Sequence, residues 1–230
     1  MKVKPVSAGR SRRLSLAAAL LVLPLAAAGC RSASPSLSTS GASVTTPTAE
    51  EDALYIALIR GMNDRGQSQA ALAFLDDYLK RHPDDVEALS LKGDALLRTK
   101  QYEAADQVYI ALDKRRVQPV AAFGLGQVRA QVGDWKGAVP QFARAAGAAP
   151  TDARVLNNYG FALLKTSDFA KAYDVLARAV ELSPQSQQIR TNFAIAALNT
   201  GREAQVDSIL QPIPAAEREA ALTFARSWKP

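Results

Sequence analysis

One cysteine and one histidine occur in 230 residues. With Cys30 as the sole thiol, no disulfide can close within the chain, so nothing covalent staples the fold. With His82 as the sole imidazole, a zinc site would need a second histidine or more thiols, and the chain has neither, nor any metal-ligand spacing. A serine or cysteine nucleophile would likewise need an adjacent base, and no such arrangement with histidine can be assembled. Phosphate-cradling loops are missing too: Gly124-Leu125-Gly126 carries no third glycine in place and falls inside a helical pattern. The carboxylate pair Asp76 and Asp77 sits at adjacent helical positions, which diverge and so cannot flank one substrate. These absences predict a non-enzyme with no cofactor and no metal.

Acidic residues are absent from the first 30 positions, whereas Lys2, Lys4, Arg10, Arg12 and Arg13 all lie there. Of 28 basic residues, removing these five leaves 23 against 22 acidic ones, so the net charge of +6 belongs to the N-terminal segment. The remainder is nearly neutral, which argues against a nucleic-acid surface. Long apolar runs are also scarce. The one from Leu14 to Gly29 is short for a membrane span and is interrupted by Pro24. A basic start, an apolar middle and small residues at the end give the three-part layout of an export signal over residues 1–29.

That segment closes in Leu25-Ala26-Ala27-Ala28-Gly29-Cys30, which resembles the lipobox of bacterial lipoproteins, with Ala27 where leucine is usual. The resemblance implies cleavage between Gly29 and Cys30 and lipidation of Cys30. An ordinary signal peptide cut after Ala26-Ala27-Ala28 is the alternative. Several acyl chains, at about 0.8 kcal/mol per buried CH2, would make the anchor effectively permanent. Arg31 follows the cysteine, not the aspartate that retains many lipoproteins at the inner membrane. By resemblance, the expected location is the periplasmic face of the outer membrane. From Arg31 to Ala49 the chain is mostly Ser, Thr, Ala, Gly and Pro. It cannot offset its ordering entropy, so residues 30–50 read as the lipidated cysteine and a disordered tether reaching about 25 Å.

Beyond residue 50 the sequence repeats itself. Gly93, Gly126 and Gly160 recur 33 and then 34 residues apart, and Ala105, Ala138 and Ala172 follow each by twelve. Between them come a turn signal and an aromatic: Lys100-Gln101-Tyr102, Gly133-Asp134-Trp135 and Ser167-Asp168-Phe169. Pro83, Pro150 and Pro184 close repeats. This pattern resembles the tetratricopeptide repeat. It implies an all-α superhelix of about five helical hairpins over residues 51–211, with units near 52–85, 86–118, 119–152, 153–186 and 187–211. Glycine on the first helix and alanine on the second should let the two pack closely, and Gly66, Gly133 and Gly201 should hold the turns at positive φ. The first unit departs from the pattern at Ile59. Pro140 falls inside a second helix, where it should kink the helix or delay its start. Residues 212–230, with Ala221, Leu222, Ala225 and Trp228 at helical spacing, read as a capping helix, with partner docking as the alternative.

The resemblance also supplies a candidate site. Repeat positions that line the concave groove in the family fall here on Asp94, Arg98, Phe123, Gln127, Gln131, Asn157, Asn158, Phe161, Lys165, Thr191, Asn192, Ile195 and Asn199. Carboxamides predominate; they donate and accept together and so suit a peptide backbone, while the phenylalanines offer apolar pockets. Capping of neighbouring turns is the other use for such amides. Lys114-Arg115-Arg116 reads as a helix end where cations meet carbonyl dipoles, His82 as a turn residue, and Asp84 and Asp85 as N-caps.

Signal, lipid anchor, tether and repeats together are similar to the TadD-type lipoproteins of Tad (Flp) pilus assembly. The similar stretches are Asn157-Asn158-Tyr159-Gly160-Phe161-Ala162-Leu163 and Ile189-Arg190-Thr191-Asn192-Phe193-Ala194-Ile195-Ala196-Ala197-Leu198 with Gly201-Arg202. The resemblance implies protein partners, an outer-membrane secretin or other pilus components, and no nucleic acid or small-molecule substrate. A type IV pilus pilotin and a general cell-envelope or outer-membrane assembly adaptor share the same plan and stay open.

Overall fold

Eleven α-helices follow one another along residues 48–230, which are the residues that the computed structural model describes. The expected signal segment, Cys30 and nearly all of the tether lie outside them. Four full hairpins come first: α1 (Ala49–Asp64) with α2 (Ser68–Arg81), α3 (Val86–Arg98) with α4 (Tyr102–Lys114), α5 (Val120–Gln131) with α6 (Trp135–Ala148), and α7 (Ala153–Lys165) with α8 (Phe169–Leu182). The fifth is abbreviated. After α9 (Gln187–Asn199) its second arm is a 3-10 turn, Glu203–Gln205, and the five-residue α10 (Val206–Leu210). The last helix, α11 (Ala215–Ser227), packs back on α9 and α10. The architecture is an all-α stack of tetratricopeptide-type hairpins with a C-terminal helix.

Helix starts follow from short polar side chains. Thr48 and Glu51 form a reciprocal capping box at α1, and Asp85, Asp134, Asp152, Asp168 and Ser186 each accept from a backbone N–H in the first turn that follows. Asp85 is thus the cap expected from the sequence; its neighbour Asp84 instead pairs with Arg115 at 2.6 Å. The turns inside the hairpins repeat as faithfully as the helices. Gly66, Lys100, Gly133, Ser167 and Gly201 all have φ between 61° and 81°. At each, two backbone N–H groups bond back to the helix end, as Lys100 does to Leu97 and Gln101 to Leu96. The glycines were legible as turn formers, but Lys100 and Ser167 occupy the same left-handed conformation. The closing bonds of the turn and the packing on both sides outweigh the roughly 1–2 kcal/mol that a Cβ costs there.

The helix-facing glycines have a use that the repeat spacing did not point to. A Cβ on Gly93 would stand 2.5 Å from the Tyr109 ring, one on Gly126 2.7 Å from Phe142, and one on Gly160 2.4 Å from Leu176. Each is a large side chain sixteen positions further along, on the second helix of the same hairpin, so the glycine makes a socket for it. In the first hairpin Ile59 faces the equivalent Leu75, and both are fully buried. Tyr109 is gripped from both sides, since Gly124 of the next hairpin also lies against its ring. Pro140 sits within α6 without delaying it: the helix already begins at Trp135. The apolar core runs as two clusters that meet at α5. One spans α1 to α5, and the other spans α5 to α11.

Candidate functional site

The first helices of the hairpins present their inner faces side by side, and the expected groove residues fall into three groups by what they touch. The first group lines an open recess of about 210 Å³, formed by Asp94, Leu97, Arg98, Gln127, Gln131 and Arg154. Asp94 accepts a 2.7 Å hydrogen bond from Tyr109 Oη. Burial and this carboxylate together push the Tyr109 hydroxyl well above the usual tyrosine range. Gln127 Oε1 is buried without a hydrogen-bond partner, while Arg98 and Gln131 are exposed. Phe123 is tilted against Phe142 with centroids 5.7 Å apart and covered by the Arg154 guanidinium at 4.6 Å. Its ring is buried and lines only a small neighbouring recess of about 70 Å³ with Ser90, Asp94, Tyr109 and Arg154.

A second group is engaged within the protein. Asn192 Nδ2 donates to Asn157 Oδ1 at 2.9 Å, a buried bond that ties α9 to α7. Asn158 and Thr191 bond to carbonyls one turn earlier in their own helices, Arg154 and Gln187. Asn199 does the same with Ile195. None of these caps a neighbouring turn, and their hydrogen-bonding capacity is partly spent. Ile195 is fully buried in the core and lines no groove: the register places it at a concave position, but α9 has α10 and α11 packed around it. Asn199 sits apart from the others, in a recess beneath α11 with Ala225, Arg226 and Trp228.

Aromatic rings form the third group. Phe161 meets Trp135 edge-on at 5.5 Å, and Trp228 meets Phe169 edge-on at 6.5 Å. Lys165 lies between the two indoles, 5.9 Å from the Trp135 ring and 5.6 Å from that of Trp228. Such contacts contribute about 0.5–1 kcal/mol each at exposed sites. The far end of α11 thereby fastens onto α7 and α8, and its Phe224 shares a recess with Phe161, Gln188, Thr191 and Asn192. The concave face is therefore open and polar along α3, α5 and the start of α7, and walled by α11 along α9.

Arg154 was not among the residues expected from the sequence, although the repeat register that gave Asn157 and Asn158 puts it on the same face one turn earlier. Trp135 and Phe224 had no such signal, because they come from a second helix and from the helix beyond the repeats. His82 stacks on Tyr78 at 4.4 Å, with Nε2 3.5 Å from the Asp52 carboxylate. Gly124-Leu125-Gly126 is buried inside α5. Among the described residues no cluster of three or more His, Cys, Asp or Glu could hold a metal, and no helix is long and apolar enough to cross a membrane.

Comparison with known proteins gives two family models, each described as a tetratricopeptide repeat. One matches residues 63–127 and 163–223, and the other matches 123–187. No curated protein matches the chain. Among solved structures, a thermophilic TPR protein of Thermus thermophilus aligns with a TM-score of 0.62 at 18% identity, covering 77% of this chain and 100% of that one. MamA of Desulfovibrio magneticus RS-1 aligns with a TM-score of 0.58 at 22% identity, over 77% of this chain and 97% of its own. At such identities the likeness is one of fold.

Proposed function

Because the chain belongs to the tetratricopeptide-repeat family, we propose that it is a non-catalytic, lipid-anchored scaffold that holds a segment of a protein partner against its concave face. The partner we assign is a component of Tad (Flp) pilus assembly, with the outer-membrane secretin first among the candidates, and the location is the periplasmic face of the outer membrane. The observation that carries the binding surface is the open recess on α3, α5 and α7. Gln127 has a buried oxygen without a partner there, Gln131 and Arg98 face solvent, and Arg154 closes the rim. A buried unpaired acceptor costs about 1–3 kcal/mol, and a turn of the Gln127 carboxamide toward the recess would let an incoming backbone or side-chain N–H recover it. Cys30 within its lipobox supports the anchor, and the resemblance to TadD-type lipoproteins over the repeats supports the pilus assignment.

The test uses the full chain in a bacterium that makes such a pilus. Arg98→Glu combined with Gln131→Ala should reduce secretin co-purification and the yield of secretin multimers while the helical content of the protein stays unchanged. Unaltered multimers and pili would remove the pilus reading, and unaltered capture would remove the recess as its site.

A further inference from the structure

In the interior of the stack, the outer face of each first helix is covered by the hairpin before it. On α7 this face is Val155, Tyr159 and Ala162, and on α9 it is Ile189, Phe193 and Ala196, all of them buried. The same register on α1 falls on Leu54, Leu58 and Gly61, which no hairpin covers among the described residues. Leu54 is 67% exposed and Leu58 54% exposed. Together with Ala57 they form a stripe on the side of α1 opposite to Ile56, Ile59 and Asn63, which face the core. At 100° per residue, positions 50, 54, 57, 58, 61 and 65 lie within an arc of about 100°.

The stripe reads the same way from both ends. Glu50 begins it and Arg65 ends it, both exposed and in none of the ion pairs of the described residues. If two copies of α1 lie antiparallel about a two-fold axis between Ala57 and Leu58, Glu50 of each meets Arg65 of the other. In the single chain the Arg65 guanidinium lies back over Gly61, 3.2 Å from where a Cβ would stand; turned outward to meet Glu50 of the other copy, it clears Gly61 for Leu54, while Ala57 packs on Leu58. Parallel pairing would instead set like charges together.

We propose that this face of α1 is an isologous interface between two copies of the chain. A two-fold contact needs one patch that complements itself, and the Glu50–Arg65 antisymmetry supplies it. Phe74 of α2, 43% exposed and edge-on to Tyr55 at 6.1 Å, widens the patch beside α1. Head-to-tail stacking is disfavoured because α11 already packs over the last hairpin. A contact built on one helix pair falls toward the small end of specific interfaces, so the dimer is weak and favoured by confinement of both copies to one surface.

The inference does not depend on the identity of the groove's partner, and charge exchange tests it. Two differently labelled full-length chains are co-expressed and their association is read by resonance energy transfer. Glu50→Arg in both copies, or Arg65→Glu in both, should cut association at least tenfold, because each dimer then holds two like-charge contacts. Co-expression of one Glu50→Arg copy with one Arg65→Glu copy should restore it, since both contacts become opposite in charge. A general effect on folding or on export would not be rescued by mixing. Leu58→Asp should abolish the signal in every combination. Energy transfer that is absent in the wild type, indifferent to both charge changes, or not recovered in the mixed pair would overturn the dimer. Indifference would point to another protein or to the upstream chain on this face.

Discussion

Replacing Gly124 by alanine adds a single methyl group to a helix interior, where the exchange ordinarily stabilises by about 0.8–1 kcal/mol. Here the sign reverses. The new Cβ would lie 2.2 Å from two carbons of the Tyr109 ring, and that ring is 1% exposed, pressed from the other side by Gly93 and bonded through its hydroxyl to Asp94. To restore contact distance the ring must move by more than 1 Å into packed surroundings. Overpacking of this severity costs about 3 kcal/mol, the upper end for added methylenes. Loss of the Tyr109–Asp94 hydrogen bond costs about 1 kcal/mol more, which offsets the helix-propensity gain. The net expectation is a destabilisation of about 3 kcal/mol, which for a domain of this size lowers Tm by roughly 6–12 °C. Gly147→Ala is the internal control: it also lies inside a helix, with nothing within 4 Å of the added Cβ, and should raise Tm by roughly 2–4 °C. Thermal unfolding followed by circular dichroism at 222 nm reads both. Combining Gly124→Ala with Tyr109→Leu should cost less than the two single changes added together, because the smaller side chain vacates the socket. A Gly124→Ala protein that melts at or above the wild-type temperature would refute the socket argument.

Exchanging the left-handed Lys100 or Ser167 for glycine removes Cβ strain at φ 61° and 63° and should raise Tm by a few degrees, about 0.5–1 kcal/mol each; unchanged or lower values would mean that the turns are unstrained. Alkaline titration carries a second expectation. Burial, and then the hydrogen bond to Asp85, push the Tyr78 hydroxyl up to about 12. A raised folded-state value means that this contribution is complete below pH 10 and is lost as pH climbs toward 12. Urea midpoints should therefore fall across that window, and Tyr78→Phe should flatten the fall. Cys30→Ala should move the protein from the membrane to the soluble periplasmic fraction; continued membrane fractionation would remove the anchor. Trp228→Ala should loosen α11 by deleting the contacts to Phe169 and Lys165, seen as faster amide exchange in residues 215–227 than in α7.

The repeat itself was legible because each hairpin is stabilised locally. Glycine, turn, alanine and capping aspartate recur at a period set by the chain geometry of two helices and two turns, and no distant contact is needed to read them. The same locality explains the near miss at the turns: the left-handed conformation at Lys100 and Ser167 is imposed by hydrogen bonds that the neighbouring helix ends make, and their side chains carry no mark of it. The groove was legible only as a face. Repeat register says which positions of α3, α5, α7 and α9 point inward, and it includes Arg154 as readily as Asn158. It does not say that Asn157 and Asn192 spend their amides on each other, that Ile195 is enclosed on all sides, or that Phe123 is roofed by a guanidinium.

Those outcomes belong to pairs of residues far apart in sequence. By itself the sequence determined the helical repeat, its phase and the near neutrality of everything after the first 30 residues, since each depends on spacing or composition alone. Tertiary structure decided which glycine makes a socket for which side chain, how α11 walls one part of the concave face and leaves another open, and that no other described residue covers the stacking face of the first helix. The physical reason is that burial is a property of the assembled stack: a face is enclosed or open according to which hairpin happens to lie against it.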